Sequence, residues 1–213
     1  SSSMVLLCMN LKTKFMVKIL HLSDTHNLHR QIRGLPEADI VVHSGDFTFA
    51  GAEGEAMDFL QWFCDLPYKH KVLIAGNHDD CLFGADVEGL PENCHYLYGN
   101  GVEIEGFHFY GVPMFMEDDI SGHYQEMLAS IPLDTDVLIT HQPCYGILDE
   151  SDGLHYGSKF LLSRVQQVKP MLHLFGHIHM ANGLREQNGI VFSNAAVVGD
   201  DYRLQHSYRL ITI

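Results

Sequence analysis

Five short apolar runs in this chain each break off into carboxylate, amide or imidazole side chains. They read Lys18-Ile-Leu-His-Leu-Ser-Asp24-Thr-His26, Ile40-Val-Val-His-Ser-Gly-Asp46 and Val72-Leu-Ile-Ala-Gly-Asn77-His78-Asp79, then Val137-Leu-Ile-Thr-His141 and Leu172-His-Leu-Phe-Gly-His177-Ile-His179. Mixed imidazole and carboxylate ligation suits Mn, Fe, Zn, Co or Ni better than calcium or magnesium. Asp24 and His26 are two apart, so in extended chain both side chains leave the same face and can converge on one ion. Asp46 follows Gly45, whose missing side chain lets the backbone turn sharply, and a carboxylate has two oxygens with which to bridge two cations. Asn77 adds a neutral carbonyl oxygen, and His141, His177 and His179 complete a nitrogen-rich set. Taken singly, each of these residues reads as a polar cap on a strand. Taken together they do not, because a buried, unpartnered polar group costs ~1–3 kcal/mol. Seven of them would rival a total stability of ~5–15 kcal/mol, and coordination removes that cost for all at once. The pattern points to a metal-dependent hydrolase.

The elements that must position these groups are legible from the same runs. An apolar run of four to eight residues bounded by turn signals indicates a strand buried on both faces. Ligands bind outside the carboxyl ends of such strands in open α/β sheets. Strands are expected near 17–23, 38–44, 71–76, 136–140 and 171–175, with helices near 54–65 and 158–168. In the first helix, Met57, Leu60, Trp62 and Phe63 are read as one apolar face. Val102-Glu-Ile-Glu and Phe107-His-Phe-Tyr flank Gly106 as a tight hairpin, and Ile190-Val-Phe-Ser and Ser207–Ile213 are further strand candidates. Mixed strands and helices of this kind pack as sheets covered by helices on their outer faces.

Composition limits the partners. The chain has 213 residues, long enough for one well-buried domain, expected over 16–213 behind a tail at 1–15. With 13 basic against 27 acidic residues the formal charge is −14, so polymeric nucleic acid is not an expected partner. Such acidity implies that an anionic substrate is drawn in by bound cations. Five scattered cysteines without a Cys-x-x-Cys pair favour a reducing, cytoplasmic setting, and no apolar stretch reaches the ~20 residues that span a bilayer.

In their order, Asp24-x-His26, Gly45-Asp46, Gly76-Asn77-His78-Asp79, Thr140-His141 and Gly176-His177-x-His179 resemble the calcineurin-like metallophosphoesterase superfamily. Within it, the short length and the Gly45-Asp46-Phe-Thr and Phe175-Gly-His-Ile-His stretches resemble the small metallophosphoesterase-domain phosphodiesterases. The resemblance implies a four-layer α/β/β/α sandwich of two mixed β-sheets with helices outside. It implies two divalent metal ions, Mn first among Mn, Fe, Zn, Ni and Co, and a hydroxide between them that attacks phosphorus. Asp24, His26 and His179 would hold one ion, Asn77, His141 and His177 the other, with Asp46 bridging. His78 would be catalytic, needing a carboxylate partner to stay protonated, for which Asp79 and Asp80 are candidates by proximity.

Departures from the superfamily's pattern narrow the substrate. Gly45-Asp46 runs into Phe-Thr-Phe-Ala-Gly51, without the Asp-Arg pair of the protein phosphatases. A small phosphodiester or nucleotide-like substrate such as a cyclic nucleotide is therefore expected. A phosphomonoesterase is the alternative within catalysis, and a metal-binding scaffold is the alternative outside it. Of the other histidines, His21, His43 and His173 lie inside strands as satisfied core groups, whereas His29, His123 and His155 fall in loops facing solvent. The 142–157 loop should line the site, with Tyr145, His155 and Lys159 as candidates to touch a base or phosphate. Glu117-Asp118-Asp119 reads as a solvated loop, and Tyr98, Phe107 and Phe109 as core.

Overall fold

The computed structural model describes residues 16–213, and the segment 1–15, read above as a tail, lies outside the described residues. The chain runs through β1 (Lys18–Leu22), β2 (Ile40–His43), α1 (Glu53–Asp65), β3 (His70–Leu73) and β4 (Cys94–Tyr96). It continues through β5 (Asn100–Ile104), β6 (Phe107–Val112), α2 (Met116–Ser121), α3 (His123–Ala129) and β7 (Val137–Thr140). A small hairpin of β8 (Glu150–Ser151) and β9 (Leu154–His155) precedes α4 (Lys159–Val168) and β10 (Leu172–Phe175). The last strands are β11 (Gly183–Gln187), β12 (Ile190–Asn194) and β13 (Arg209–Thr212).

Two mixed sheets result. The first has the order β13-β1-β2-β3-β4, parallel except for β13, and the second β11-β12-β10-β7-β6-β5, parallel except for its two edge strands. The apolar runs are continuous because each strand buries both faces, and alternation decides which layer each residue joins. Ile19, Ile40, Val42, Val72 and Ile74 of the first sheet meet Phe107, Phe109, Val137, Ile139, Leu172 and Leu174 of the second in a central core. The alternate residues Leu20, Leu22, Val41 and Leu73 turn outward onto Ala56, Phe59 and Phe63 of α1. On the far side Tyr110, Val112, Leu138 and Phe175 pack under Tyr124, Met127 and Leu128 of α3 and Leu161, Val165 and Val168 of α4. Four layers are thus built from one alternation, in the α/β/β/α order the family resemblance implies, and each fully buried large side chain contributes ~1.5–3 kcal/mol.

Local signals account for the element ends. Glu105 and Gly106 both have positive φ (53° and 80°), the twist-matched turn of a two-residue hairpin. Ser158 caps α4 by accepting from the Leu161 amide at 3.1 Å, and Lys169 closes it in the left-handed conformation.

Several expectations shift. On α1 the buried stripe is Ala56, Phe59 and Phe63, while Met57 is largely exposed. The acidic Glu117-Asp118-Asp119 stretch is the first turn of α2, with Asp118 buried and hydrogen-bonded to Tyr98 and His123. His29 does not face solvent. It is buried in a 3-10 turn, its Nε2 3.1 Å from Asp58. The strand histidines are satisfied core groups: His21 lies between Ser44 and Ser193, His43 meets Thr25, and His173 meets Thr140. Among the described residues no helix is long and apolar enough to cross a membrane.

Candidate metal centre

β1, β2, β3, β7 and β10 all end at one edge, and the segments that follow them are cross-tied there. The amide of Asp24 donates to Gly45 O at 2.9 Å, that of His26 to Asp46 O at 3.1 Å and that of Gly176 to His141 O at 3.1 Å. Asp24, His26, Asp46 and His177 all have positive φ (53°, 38°, 58° and 70°). For residues with a side chain this is sparsely populated backbone that costs ~1–3 kcal/mol each and collects at functional sites. Asp24 and His26 therefore converge through left-handed turns and not through the extended chain expected from their spacing. Glycines make the room: a Cβ on Gly45 would lie 2.6 Å from Gly76 N and 2.7 Å from His141 Nδ1. A Cβ on Gly76 or Gly176 would collide with the carboxylates of Asp46 or Asp24.

The side chains gather in trios whose ligand atoms lie mutually close. One is Asp24, His26 and His179, and another is Asp46, His141 and His177. Asp46 also joins His26 and His78 in a third grouping. Its Oδ2 lies 3.3 Å from His141 Nε2 and 3.8 Å from His26 Nε2, so one carboxylate oxygen faces both sides. Asn77 Oδ1 is 3.1 Å from His141 Nε2, and Asp24 Oδ1 is 3.4 Å from His179 Nε2. Asp24 also accepts from the His177 amide at 3.0–3.1 Å.

The donor set fits cations. His26 Nδ1 points at Thr48 O (3.0 Å), His179 Nδ1 at Gly199 O (3.2 Å) and His141 Nδ1 at Ser44 O (2.9 Å). A carbonyl only accepts, so in the neutral ring the proton sits on Nδ1 and each Nε2 presents a lone pair. His26 Nε2 and His179 Nε2 are 3.3 Å apart, two lone pairs aimed at one point beside buried carboxylates. A divalent cation satisfies that arrangement, and a proton satisfies only part of it. Without metal, the charges lean on one another. Burial opposes the ionisation of Asp24, yet the hydrogen bond from His179 and the charge of His141 hold its carboxyl well below the usual range. Burial would lower His141, but Asp46 beside it pushes it up to about 9, while burial takes His177 down to about 4.

His78, which shares the third grouping, is tied to the backbone as well. Its amide donates to Asp46 Oδ1 (2.8 Å) and its Nδ1 lies 2.8 Å from Phe49 O, which leaves Nε2 for another partner. The place expected for a carboxylate of Asp79 or Asp80 beside His78 is thus taken by the Phe49 carbonyl. Asp79 is fully buried, accepting from the amides of Asp46 (2.8 Å), Gly76 (2.8 Å) and Thr48 (2.9 Å), and it pins the loops after β2 and β3 together. Burial and the charge of Asp46 push its carboxyl up to about 7 against the pull of those donors.

Above these groupings lies a cavity of about 440 Å³ lined by Asp46, Asn77, His78, His177 and His179. Its remaining wall comes from Ser151, Tyr156, Ile178, Asp200 and Tyr202. The 142–157 loop supplies Ser151 and Tyr156 to this wall. Tyr145, His155 and Lys159 form a cluster of their own, with Lys159 Nζ 4.7 Å from the Tyr145 ring and His155 on Asp149 at 2.8 Å. Asp200 and Tyr202 escaped the sequence reading. The only local signal for them is the Gly199-Asp-Asp turn that follows β12.

A strand-end carboxylate, Asp46, shared between two imidazole pairs at the edge of a two-sheet sandwich is the arrangement of a metallohydrolase. The model of the family described as Calcineurin-like phosphoesterase matches residues 17–181, and the chain belongs to that family of metal-dependent phosphoester hydrolases. A UPF0046 protein of Caenorhabditis elegans is 34% identical, covering 90% of this chain and 78% of that one. Metallophosphoesterase domain-containing protein 1 of Homo sapiens is also 34% identical, covering 85% of this chain and 66% of the relative. The fold is shared with TT1561 of Thermus thermophilus at a TM-score of 0.55 and 13% identity, over 85% of this chain and 91% of that one.

Proposed function

We propose that this protein is a phosphodiesterase that hydrolyses small, nucleotide-like phosphodiesters, cyclic nucleotides among them, at a dinuclear centre. The observation that carries this reading is Asp46, whose carboxylate faces His26 on one side and His141 on the other. In this reading Asp24, His26 and His179 hold one divalent ion, Asn77, His141 and His177 the other, and Asp46 both. Manganese is the first choice for the pair, with Fe, Zn, Ni or Co as alternatives. Such a pair, when bound, neutralises phosphate charge and makes water acidic enough to act as a nucleophile near neutral pH.

The chain's own residues do the rest. Asp46 and Asp24 fix the two groups of imidazoles relative to one another. His78, its Nδ1 donating to Phe49 O, directs Nε2 at the leaving oxygen and, as the doubly protonated imidazolium, gives it a proton or a hydrogen bond. The cavity of about 440 Å³ over these residues is the space in which the two substituents of a phosphodiester would lie. A reducing, cytoplasmic setting belongs to the same reading; the four described cysteines are free.

The test is turnover of bis-p-nitrophenyl phosphate and of p-nitrophenyl phosphate by manganese-loaded protein. The diester is expected to be the better substrate. His78→Ala is expected to retain its metal and lose ~10²–10⁴-fold in kcat. Preference for the monoester would remove the diesterase reading, and inertness toward both would favour a scaffold. A near-normal rate in His78→Ala would take His78 out of the mechanism.

A further inference from the structure

Tyr202 is held where unconstrained chain would not put it. Its φ of 56° is left-handed, rare for a bulky residue and a conformation that the surrounding structure must impose. The imposing structure is a tight turn. The Tyr202 amide donates to Gly199 O at 2.9 Å, the Gly199 amide to Arg203 O at 3.0 Å, and Gln205 Nε2 to Asp201 Oδ1 at 2.7 Å. Gly199 O also accepts from His179 Nδ1, so the turn that orients a ligand imidazole also aims the tyrosine.

Aimed this way, the phenol ring stands nearly perpendicular to His26 (centroids 4.9 Å, 78°) and to His179 (5.4 Å, 89°). It meets Phe49 edge to face at 5.3 Å and 83°. Phe49 is 49% exposed and Tyr202 37%; Tyr202 lines the cavity, and Phe49 backs it through the ring contact with Tyr202. Tyr156, 48% exposed, supplies a further aromatic wall from the end of the β8–β9 hairpin. Among the described residues, no lysine or arginine lines the cavity, and Asp200 does. Outside the centre itself, the wall thus offers aromatic faces, the Ser151 hydroxyl and a negative charge, with no cationic side chain to hold a second phosphate.

We infer that Tyr202, with Phe49 and Tyr156, forms an aromatic corner that binds an uncharged planar ring, a nucleobase or an aryl group, carried by the phosphodiester. Stacking on an aromatic side chain tolerates any ring, because every base has a π-face, and perpendicular rings offer a face and an edge together. Asp200 repels a substrate carrying a further phosphate at the same end. The inference deepens the phosphodiesterase reading and names the substrate class it selects.

Binding and turnover separate the two. Calorimetry on manganese-loaded protein should find diphenyl phosphate bound about 10-fold more tightly than diethyl phosphate, the scale of one stacked ring. Tyr202→Phe should keep that ratio, and Tyr202→Leu should bring it below about 3. Adenosine 5′-monophosphate should bind more tightly than adenosine 3′,5′-bisphosphate, and the reverse order would overturn the exclusion of a second phosphate. Equal affinities for the two diesters in the unmutated protein would overturn the corner, as would a Tyr202→Leu variant that melts normally and keeps the ratio. Tyr156→Leu, on a separate hairpin, should lower the ratio about 3-fold and covers the case in which Tyr202→Leu fails to fold. Hydrolysis of bis-p-nitrophenyl phosphate is read on the same samples. An aryl preference without hydrolysis keeps the corner and removes the phosphodiesterase, and hydrolysis without the preference does the reverse.

Discussion

Gly176→Ala isolates one steric requirement of the centre. The φ of Gly176 lies outside the left-handed region, so alanine meets no backbone penalty there, and the whole effect comes from what the new methyl strikes. It would overlap Asp24 Oδ2 and Ser23 Oγ and lie 2.7 Å from Ser23 Cβ. Neither neighbour has slack: both Asp24 oxygens accept from the His177 amide, and Ser23 Oγ donates to Gly45 O at 3.4 Å. Overpacking of this kind costs ~1–3 kcal/mol. At ~2–4 °C per kcal/mol for a chain of this size, that is a fall in melting temperature of roughly 2–12 °C. Displacing Asp24 should also weaken metal binding about 10–100-fold, the usual cost of disturbing what holds a ligand. Gly54→Ala is the matched control. It lies in α1 with nothing within 4 Å of the new methyl, and it should stabilise by ~0.5–1 kcal/mol. Thermal melts in chelator read the packing cost alone, and melts and metal content in manganese add the ligand displacement. If Gly176→Ala matches Gly54→Ala in melting temperature and in bound metal, the close approach of Asp24 to the backbone does not constrain the site.

Three further outcomes follow from the same geometry. Asp46→Asn, which keeps the shape and removes the charge, should come out of purification with less than half the bound metal of the unmutated protein, measured by elemental analysis. Glu55 accepts from the amides of Phe49 (3.0 Å) and Ala50 (2.9 Å), and so steadies the carbonyl that holds His78. Glu55→Ala should lower kcat about 10-fold at unchanged metal content, by loosening the orientation of the imidazole proposed to act on the leaving oxygen; a change confined to KM would refute this. Acid should unfold the protein through its buried histidines: burial holds His43 and His173 down at about 3 and His21 well below its ordinary value. The unfolded chain takes up those protons from pH ~6.5 downward and the folded one does not, so stability is full above that pH. It should fall by ~1.4 kcal/mol per pH unit for each such histidine, and urea midpoints at pH 7.5 and 5 that agree would contradict it.

Strand ends were the legible part of this chain. An apolar run that stops at a ligand residue carries both its strand and its site in one local pattern, which is why β1, β2, β3, β7 and β10 stand where expected. β8 and β9, at two residues each, and β4, at three, are too short for any period to show, and only pairing with a neighbour defines them. α2 was hidden by its own charges, because Asp118 is buried only through Tyr98 and His123, partners that a linear reading does not connect. Asp79 looked catalytic through its neighbour His78, yet its carboxylate is directed at the backbone of two loops. Tyr202 was out of reach for a different reason. Its position depends on a left-handed turn whose strain is imposed by contacts, and strain leaves no mark in composition.

The facing nitrogens of His26 and His179 come from opposite halves of the molecule. One follows β1 in the first sheet, the other follows β10 in the second, and 153 positions of chain separate them. A cation gripped by both is therefore a clip that closes a very long loop, the kind of closure expected to add most stability. Every increment of metal affinity is then also an increment of folding free energy, growing with the free ion as RT ln(1 + [L]/Kd). Chelation would then loosen the seam between the sheets as well as silence the chemistry. The amount of intact protein would become a record of the ions it was supplied with.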